Sequence, residues 1–336
     1  MHIFKDTKFD FLRWRWYAIA LSWIVVLAGV VTFMSKGMPL GIEFAGGTAV
    51  VVKFDQPTTT EHVREALDKS MAGGEVVIQP YGQPAMNMFL IRVPTVGAES
   101  GNSLSSEAAR VEAALKQGGL SSFTRQGAQI VGPAVGKELR NRALLATIFS
   151  LAGLLAYIAF RFQFSFAVGA VVATVHDLLV TLALLVIFRY DMTLNVIAAI
   201  LTITGFSTND TIVIFDRIRE NMRSMRRDSL AGVINTAINQ TLGRTIITSG
   251  TALLTSLALF LFGGEVLHGF AFTMVVGIIT GTYSSVFIAA AIISFWRSAA
   301  PTRAAAHAPA PSTASSSGAP QQPARKAKPQ RKARAS

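Results

Sequence analysis

Three ionisable side chains stand where hydrocarbon is expected. Asp177, with His176 beside it, lies midway along the apolar run Phe164–Phe188. Asp210 follows Asn209 in a second run, Met192–Phe215, and Arg244 precedes a third, Thr245–Phe262. A charge at the centre of a bilayer costs roughly 2.5–3.5 kcal/mol on insertion scales, so each is a functional candidate by default. Asp210 also sits in a polar heptapeptide, Gly205-Phe206-Ser207-Thr208-Asn209-Asp210-Thr211, with a glycine inside an otherwise apolar helix. Backbone loosened there is tolerated only where it faces protein or a water-filled cavity. The third run offers Arg244, Thr245, Thr248, Ser249 and Thr251 in return. A carboxylate and a guanidinium on neighbouring spans, lined with hydroxyls, suit proton transfer, because burial and a nearby cation pull a carboxyl's proton affinity in opposite directions. The same residues also suit a permanent Asp210–Arg244 ion pair that only fixes helix packing, and both readings stand. Asp177 taken alone reads as structural, satisfied by His176 or by hydroxyls. With His176, Asn209 and Thr248 it forms the second rank of proton-path candidates. Asp216, at the membrane boundary, is expected to pair with a nearby arginine.

The elements that position these groups follow from hydropathy. Only 15% of the 336 residues are charged and 51% are hydrophobic, against about 25% charged in a soluble domain. A bilayer-spanning helix needs about 20 apolar residues. Six runs approach that length: 17–34, 143–160, 164–188, 192–215, 245–262 and 270–296. The first exceeds a signal-peptide core, and Ser35-Lys36-Gly37-Met38 offers no small-residue cleavage site, so a retained anchor is expected.

Basic residues accumulate in cytoplasmic loops. The N-terminal tail 1–16 carries four, the tail 297–336 carries eight, and the stretch after span four holds Arg217, Arg219, Arg223, Arg226 and Arg227. Both termini and an amphipathic loop 216–243 are therefore expected in the cytoplasm, and segment 35–137 outside. That outer segment holds nine bases and nine acids, so the net +12 lies elsewhere. The basic balance thus reflects membrane topology and gives no reason to expect specific nucleic-acid binding. The tail 297–336, rich in Ala, Pro, Ser and bases, reads as simple solvated disorder, with attraction to the anionic headgroups of the lipid bilayer or to ribosomal RNA as the alternatives.

The outer segment has its own pattern. Strands are expected at Thr48–Phe54, Glu75–Gln79, Met88–Val93 and Ser122–Val131, and helices at Thr60–Met71 and Ser105–Lys116. The order β-α-β-β-α-β is ferredoxin-like. The fold class is thus an α-helical polytopic membrane protein, with six transmembrane helices and one periplasmic ferredoxin-like α+β domain between helices 1 and 2. No cysteine is present and the five histidines lack metal-ligand spacing, so neither metal nor cofactor is expected beyond protons as coupling ion. Ser249 before Gly250, with His268, is a weak hydrolase signal, because His268 falls toward the opposite surface. No enzymatic site is expected.

Five motifs carry a family resemblance. The residues from Gly205 through Asp210 and Asp216 to Asn221 resemble the fourth-span signature of the SecF family, and Arg244-Thr245-Ile246-Ile247-Thr248-Ser249 resembles the start of its fifth. Gly41-Ile42-Glu43-Phe44-Ala45-Gly46-Gly47-Thr48 resembles the motif after the first span. Val131-Gly132-Pro133-Ala134-Val135-Gly136 resembles the approach to the second, and Gly281-Thr282-Tyr283-Ser284-Ser285 a motif in the sixth. The likeness covers about residues 10–297. Glu43 stands where an aspartate is usual and Phe206 where a tyrosine is usual. The resemblance implies a heterodimer with SecD, forming a twelve-span unit of the RND type. It also implies association with the SecYEG channel, with YajC and YidC as further associates. The implied activity is proton-driven, late, periplasmic-side export of unfolded preproteins across the bacterial inner membrane. It places Asp210 and Arg244 on the proton path. Gly46, Gly47 and Gly205 are hinge candidates. Rival readings are an RND-type exporter of lipids or small molecules, which would need twelve spans in one chain, and a passive scaffold.

The topology is directly testable in a cysteine-free chain. A cysteine at Ser103 should react with an impermeant maleimide in intact spheroplasts, and one at Ser229 should not. The reverse pattern would sink the orientation.

Overall fold

A computed structural model describes residues 9–69, 76–82, 86–93 and 101–298. The cytoplasmic placement expected of 1–8 and the disorder expected of 299–336 fall outside the described residues. Among the described residues, six helices are long and apolar enough to cross a membrane. The first, α1 (Arg15–Lys36), is led in by a 3-10 turn, Phe11–Trp14, whose cap Asp10 accepts from the Arg13 amide. After a short helix α2 (Ile42–Ala45), which the sequence reading did not anticipate, come β1 (Gly47–Phe54), α3 (Thr60–Asp68), β2 (Val77–Pro80), β3 (Met88–Val93), α4 (Gly101–Gln117) and β4 (Phe123–Val131). The sheet order is β2-β3-β1-β4, all neighbours antiparallel, which is the ferredoxin-like arrangement. Alternation sorts its faces. Val50, Val52, Phe54, Phe89, Ile91 and Val93 turn inward onto Val63, Leu67, Val111 and Leu115 of the two helices.

The remaining spans are α5 (Pro133–Arg161), α6 (Phe164–Ile187), α7 (Leu194–Ser224), α8 (Leu230–Phe262) and α9 (Glu265–Ser284). A π turn at Ser285–Ala289 continues α9 into α10 (Ala290–Ser298). Several limits differ from the hydropathy runs because caps, not apolarity, end a helix. Pro133 opens α5 at its first turn, inside the segment assigned to the outer domain. Thr193 caps α7 by accepting from the Val196 amide, which leaves Met192 outside the helix.

The expected loop 216–243 needs a larger correction, because most of it is helix. α7 runs 31 residues and α8 33, about 46 and 50 Å at 1.5 Å per residue, well beyond the ~30 Å hydrocarbon core. Only 225–229 join them. The extension holds because Gln240 Oε1 accepts from both Arg217 Nε (2.7 Å) and Asn221 Nδ2 (2.9 Å). Ile218, Ile234 and Ile238 are buried in the same seam.

Helices α6, α7 and α9 form the centre of the bundle, with half or more of their spanning windows buried, while α1, α5 and α8 surround them. Small residues permit the close approach, as is usual where lipid removes the hydrophobic drive to associate. A Cβ on Gly281 would sit 2.7 Å from Ser207 Cβ.

The folded domain is tied to the spans through the chain that follows α1 and through β3. The chain after α1 pairs with the α6–α7 connection, Gly41 N donating to Met192 O and Met192 N to Pro39 O, both at 2.8 Å. Above it, Arg92 of β3 forms an ion pair with Asp191 and donates to Leu40 O (3.3 Å) and Gln79 Oε1 (3.1 Å). Gly46 and Gly47 lie in this joint with φ of 74° and 124°. Both values fall in the region that favours glycine, and a Cβ on Gly46 would approach Pro133 Cα to 3.2 Å. Replacing both with alanine should lower the stability of the full chain by about 1–2 kcal/mol per site, read as thermal unfolding in detergent. An unchanged melting temperature would make them ordinary turn residues.

Candidate functional site: two carboxylates among hydroxyls

Asp177 of α6 and Asp210 of α7 are both buried inside the bundle, 4% and 8% exposed. Each is held by hydroxyl donors from other spans. Asp210 Oδ1 accepts from Thr245 Oγ1 of α8 at 2.7 Å, and Oδ2 from Ser285 Oγ in the π turn at 2.8 Å. Asp177 Oδ2 accepts from Ser207 Oγ of α7 and from Ser284 Oγ of α9 at 2.8 Å. Its Oδ1 meets His176 Nδ1 at 2.9 Å. The side chains needed for this come into register because Ser207 and Asp210 lie almost one turn apart on α7, and because Gly281 lets α9 close onto Ser207. The π turn then begins at Ser285, so consecutive serines serve different carboxylates. A cavity of about 10 Å³ beside Asp177 and Ser207, lined by Thr174, Thr181 and Thr204, has the volume of about one water.

The other candidates face away. Arg244, Thr248, Asn209 and Gly205 are exposed on the surface of this chain. Among the described residues Asp210 has no ion pair, and Arg244 acts on it only as a nearby charge. The permanent Asp210–Arg244 pair is therefore not formed. Thr245, the next residue along α8, takes the place beside the carboxylate, since one helical step turns a side chain by about 100°. Asp216 is likewise exposed and without an ion pair among the described residues, contrary to expectation, while Arg217 pairs with Glu220 instead. Ser249 Oγ is buried without a hydrogen-bond partner, and His268 meets Tyr190 OH at 3.1 Å, so the hydrolase pair is not assembled.

Ser284 and Ser285 were legible only as part of a motif. Two adjacent serines deep in an apolar span were the available signal, but their acceptors lie 107 and 75 residues away.

Six spans, a ferredoxin-like insert after the first and two carboxylates inside the bundle define a multi-pass membrane protein with an intramembrane polar site. Comparison with known proteins gives the family. Residues 110–299 match the profile of "Protein export membrane protein SecD/SecF, C-terminal", and residues 31–58 that of the SecD/SecF GG motif. Protein translocase subunit SecF of Desulfurispirillum indicum is 41% identical over 85% of this chain and 91% of its own length. That of Escherichia coli O157:H7 is 36% identical over 84% and 86%. The crystal structure of SecDF, a translocon-associated membrane protein from Thermus thermophilus, matches with a TM-score of 0.76 at 33% identity. It covers 87% of this chain, which spans 39% of that longer one. The chain belongs to the SecD/SecF family of protein export membrane proteins, on its SecF side.

Because no ion pair is broken, Arg244→Gln should change the stability of the full chain by no more than about 0.5 kcal/mol. Removing one partner of a buried pair costs about 3–5 kcal/mol. Thermal unfolding in detergent separates the two, and a loss in the larger range would restore the ion pair.

Proposed function

We propose that this chain couples the proton-motive force to late, periplasmic-side protein export, as the SecF-type subunit of a heterodimer with SecD at the SecYEG channel. One observation carries the reading. Asp210 is a buried carboxylate held by two neutral hydroxyl donors rather than by a cation of its own chain, so its proton can come and go without breaking an ion pair. On this reading the chain is an inner-membrane protein with both termini cytoplasmic and the ferredoxin-like domain periplasmic, where it meets unfolded preprotein. YajC and YidC are associates of the same machinery.

The outward face supports a partner chain. Gly205 and Asn209 on α7, and Arg244 and Thr248 on α8, each lie four residues apart and are exposed together. A guanidinium facing lipid at that level is costly, whereas a partner span supplying a carboxylate would satisfy it. Arg244, Asn209 and Thr248 then line the proton path from its outer side, with Asp210 and, more remotely, Asp177 and His176 from within. Each charge that crosses releases about 2.3 kcal/mol per 100 mV. That energy would reach the domain through the joint at Gly46 and Gly47, with Gly205 as the hinge within α7.

Asp210→Asn keeps the size and much of the hydrogen bonding but removes the titration. Proteoliposomes carrying the heterodimer should lose proton uptake under an imposed potential, and export stimulation should fall to the level without the subunit, while insertion and partner binding persist. Wild-type proton uptake and export in this variant would refute the assignment.

A further inference from the structure

The geometry points to Ser284 and Ser285 as positioning residues that couple the protonation of Asp210 to the hydrogen bonds of Asp177, a unit built within this one chain. The inference rests on the proton-coupled reading above and extends it to a second carboxylate.

A serine has one proton to donate. Ser285 Oγ has two acceptors in reach, Asp210 Oδ2 at 2.8 Å and Thr282 O at 2.9 Å. Ser284 Oγ likewise has Asp177 Oδ2 at 2.8 Å and Gly281 O at 3.3 Å. While a carboxylate is ionised, the charge-assisted bond is the stronger and the hydroxyl points to it. Once Asp210 takes up a proton on Oδ2, the carboxyl becomes the donor, Ser285 Oγ the acceptor, and the serine's own proton turns to Thr282 O. No proton is left over and no bond is orphaned.

The neighbouring serine feels this switch because both lie at one irregular point of the span. The π turn starts at Ser285, and both serines are fully buried, 0% exposed. π turns inside α-helices are rare and recur at functional sites. In a regular helix, adjacent side chains diverge by about 100°. The two adjacent hydroxyls here reach carboxylates on two different helices, Asp177 of α6 and Asp210 of α7. α7 closes the circuit, carrying both Asp210 and Ser207, the second donor to Asp177. A change in Ser285's bond to Asp210 is thereby transmitted to two of the three groups that hold Asp177.

The other titratable groups around the pair are few. α6 contributes His176, whose Nε2 is buried without a partner. α9 contributes Tyr283, whose ring centroid lies 5.9 Å from that of His176, and α8 contributes Arg244, next to the Thr245 that donates to Asp210. α1 brings the hydroxyl of Ser22 to Tyr283.

The test uses the full chain in lipid nanodiscs and infrared difference spectroscopy of the protonated carboxyl C=O stretch, with Asp177→Asn and Asp210→Asn assigning the bands. In the otherwise native chain, Asp177→Asn should move the Asp210 midpoint by about one pH unit, a tenfold change in proton affinity. In the Ser284→Ala/Ser285→Ala background that shift should disappear, and Ser284→Thr/Ser285→Thr, which keeps both hydroxyls, should restore it. Should the double alanine variant fail to accumulate, Ser284→Ala alone removes the Asp177 donor and gives the same readout. An Asp210 midpoint indifferent to Asp177, or a shift of equal size with and without the serines, overturns the bridge. These midpoints do not depend on transport, so absence of proton flux in wild-type proteoliposomes would count against the proposed function and not against the bridge.

Discussion

A carboxylate inside a bilayer has no water to fall back on, and everything at the centre of this protein answers to that constraint. Two aspartates must find donors on other helices, and the donors are hydroxyls: Ser207, Thr245, Ser284 and Ser285. Hydroxyls are short, so the helices must come close, and close approach demands small residues. Gly281 facing Ser207 meets that demand at the level of Asp177. Two neighbouring serines, at the point where the span passes into a π turn, serve one carboxylate each. The polar site, the glycines and the irregular sixth span are one solution to a single desolvation problem.

Neutral donors also leave the site poised in a way an ion pair would not. A buried Asp–Arg pair holds its charges permanently, because neutralising one strands the other. A carboxyl among hydroxyls can reverse the direction of its hydrogen bonds on gaining a proton, since serine and threonine are both donors and acceptors. With Arg244 turned to the outer surface of α8, the cation is exposed to whatever packs against that face.

The attachment of the domain places it in contact with the same helices. Asp191 and Met192 lie in the connection between α6, which carries Asp177, and α7, which carries Asp210. Arg92 of β3 and the Pro39–Gly41 strand segment bind that connection directly. Arg189, at its start, donates to Lys36 O and Gly37 O at the end of α1, a favourable place for a cation. The connection between the two central helices is thus bonded directly to the sheet and to the chain that leads into it.

The sequence by itself determined the six spans, the ferredoxin-like order of the insert, Gly46 and Gly47 as special backbone positions, and the two aspartates as costly charges among hydrocarbon. Each of these depends on properties local to the chain: apolar length, two-residue alternation, a backbone conformation open to glycine, or a charge among hydrocarbon neighbours. Only the tertiary structure decided which hydroxyls serve which carboxylate, that Thr245 rather than Arg244 faces Asp210, and that 216–243 is a helical hairpin with Gln240 at its seam. Those outcomes turn on rotations of 100° per residue and on partners up to 107 residues apart. No local pattern encodes either. An arginine and a threonine side by side at the start of a span read alike until the neighbouring helix fixes which of them points inward.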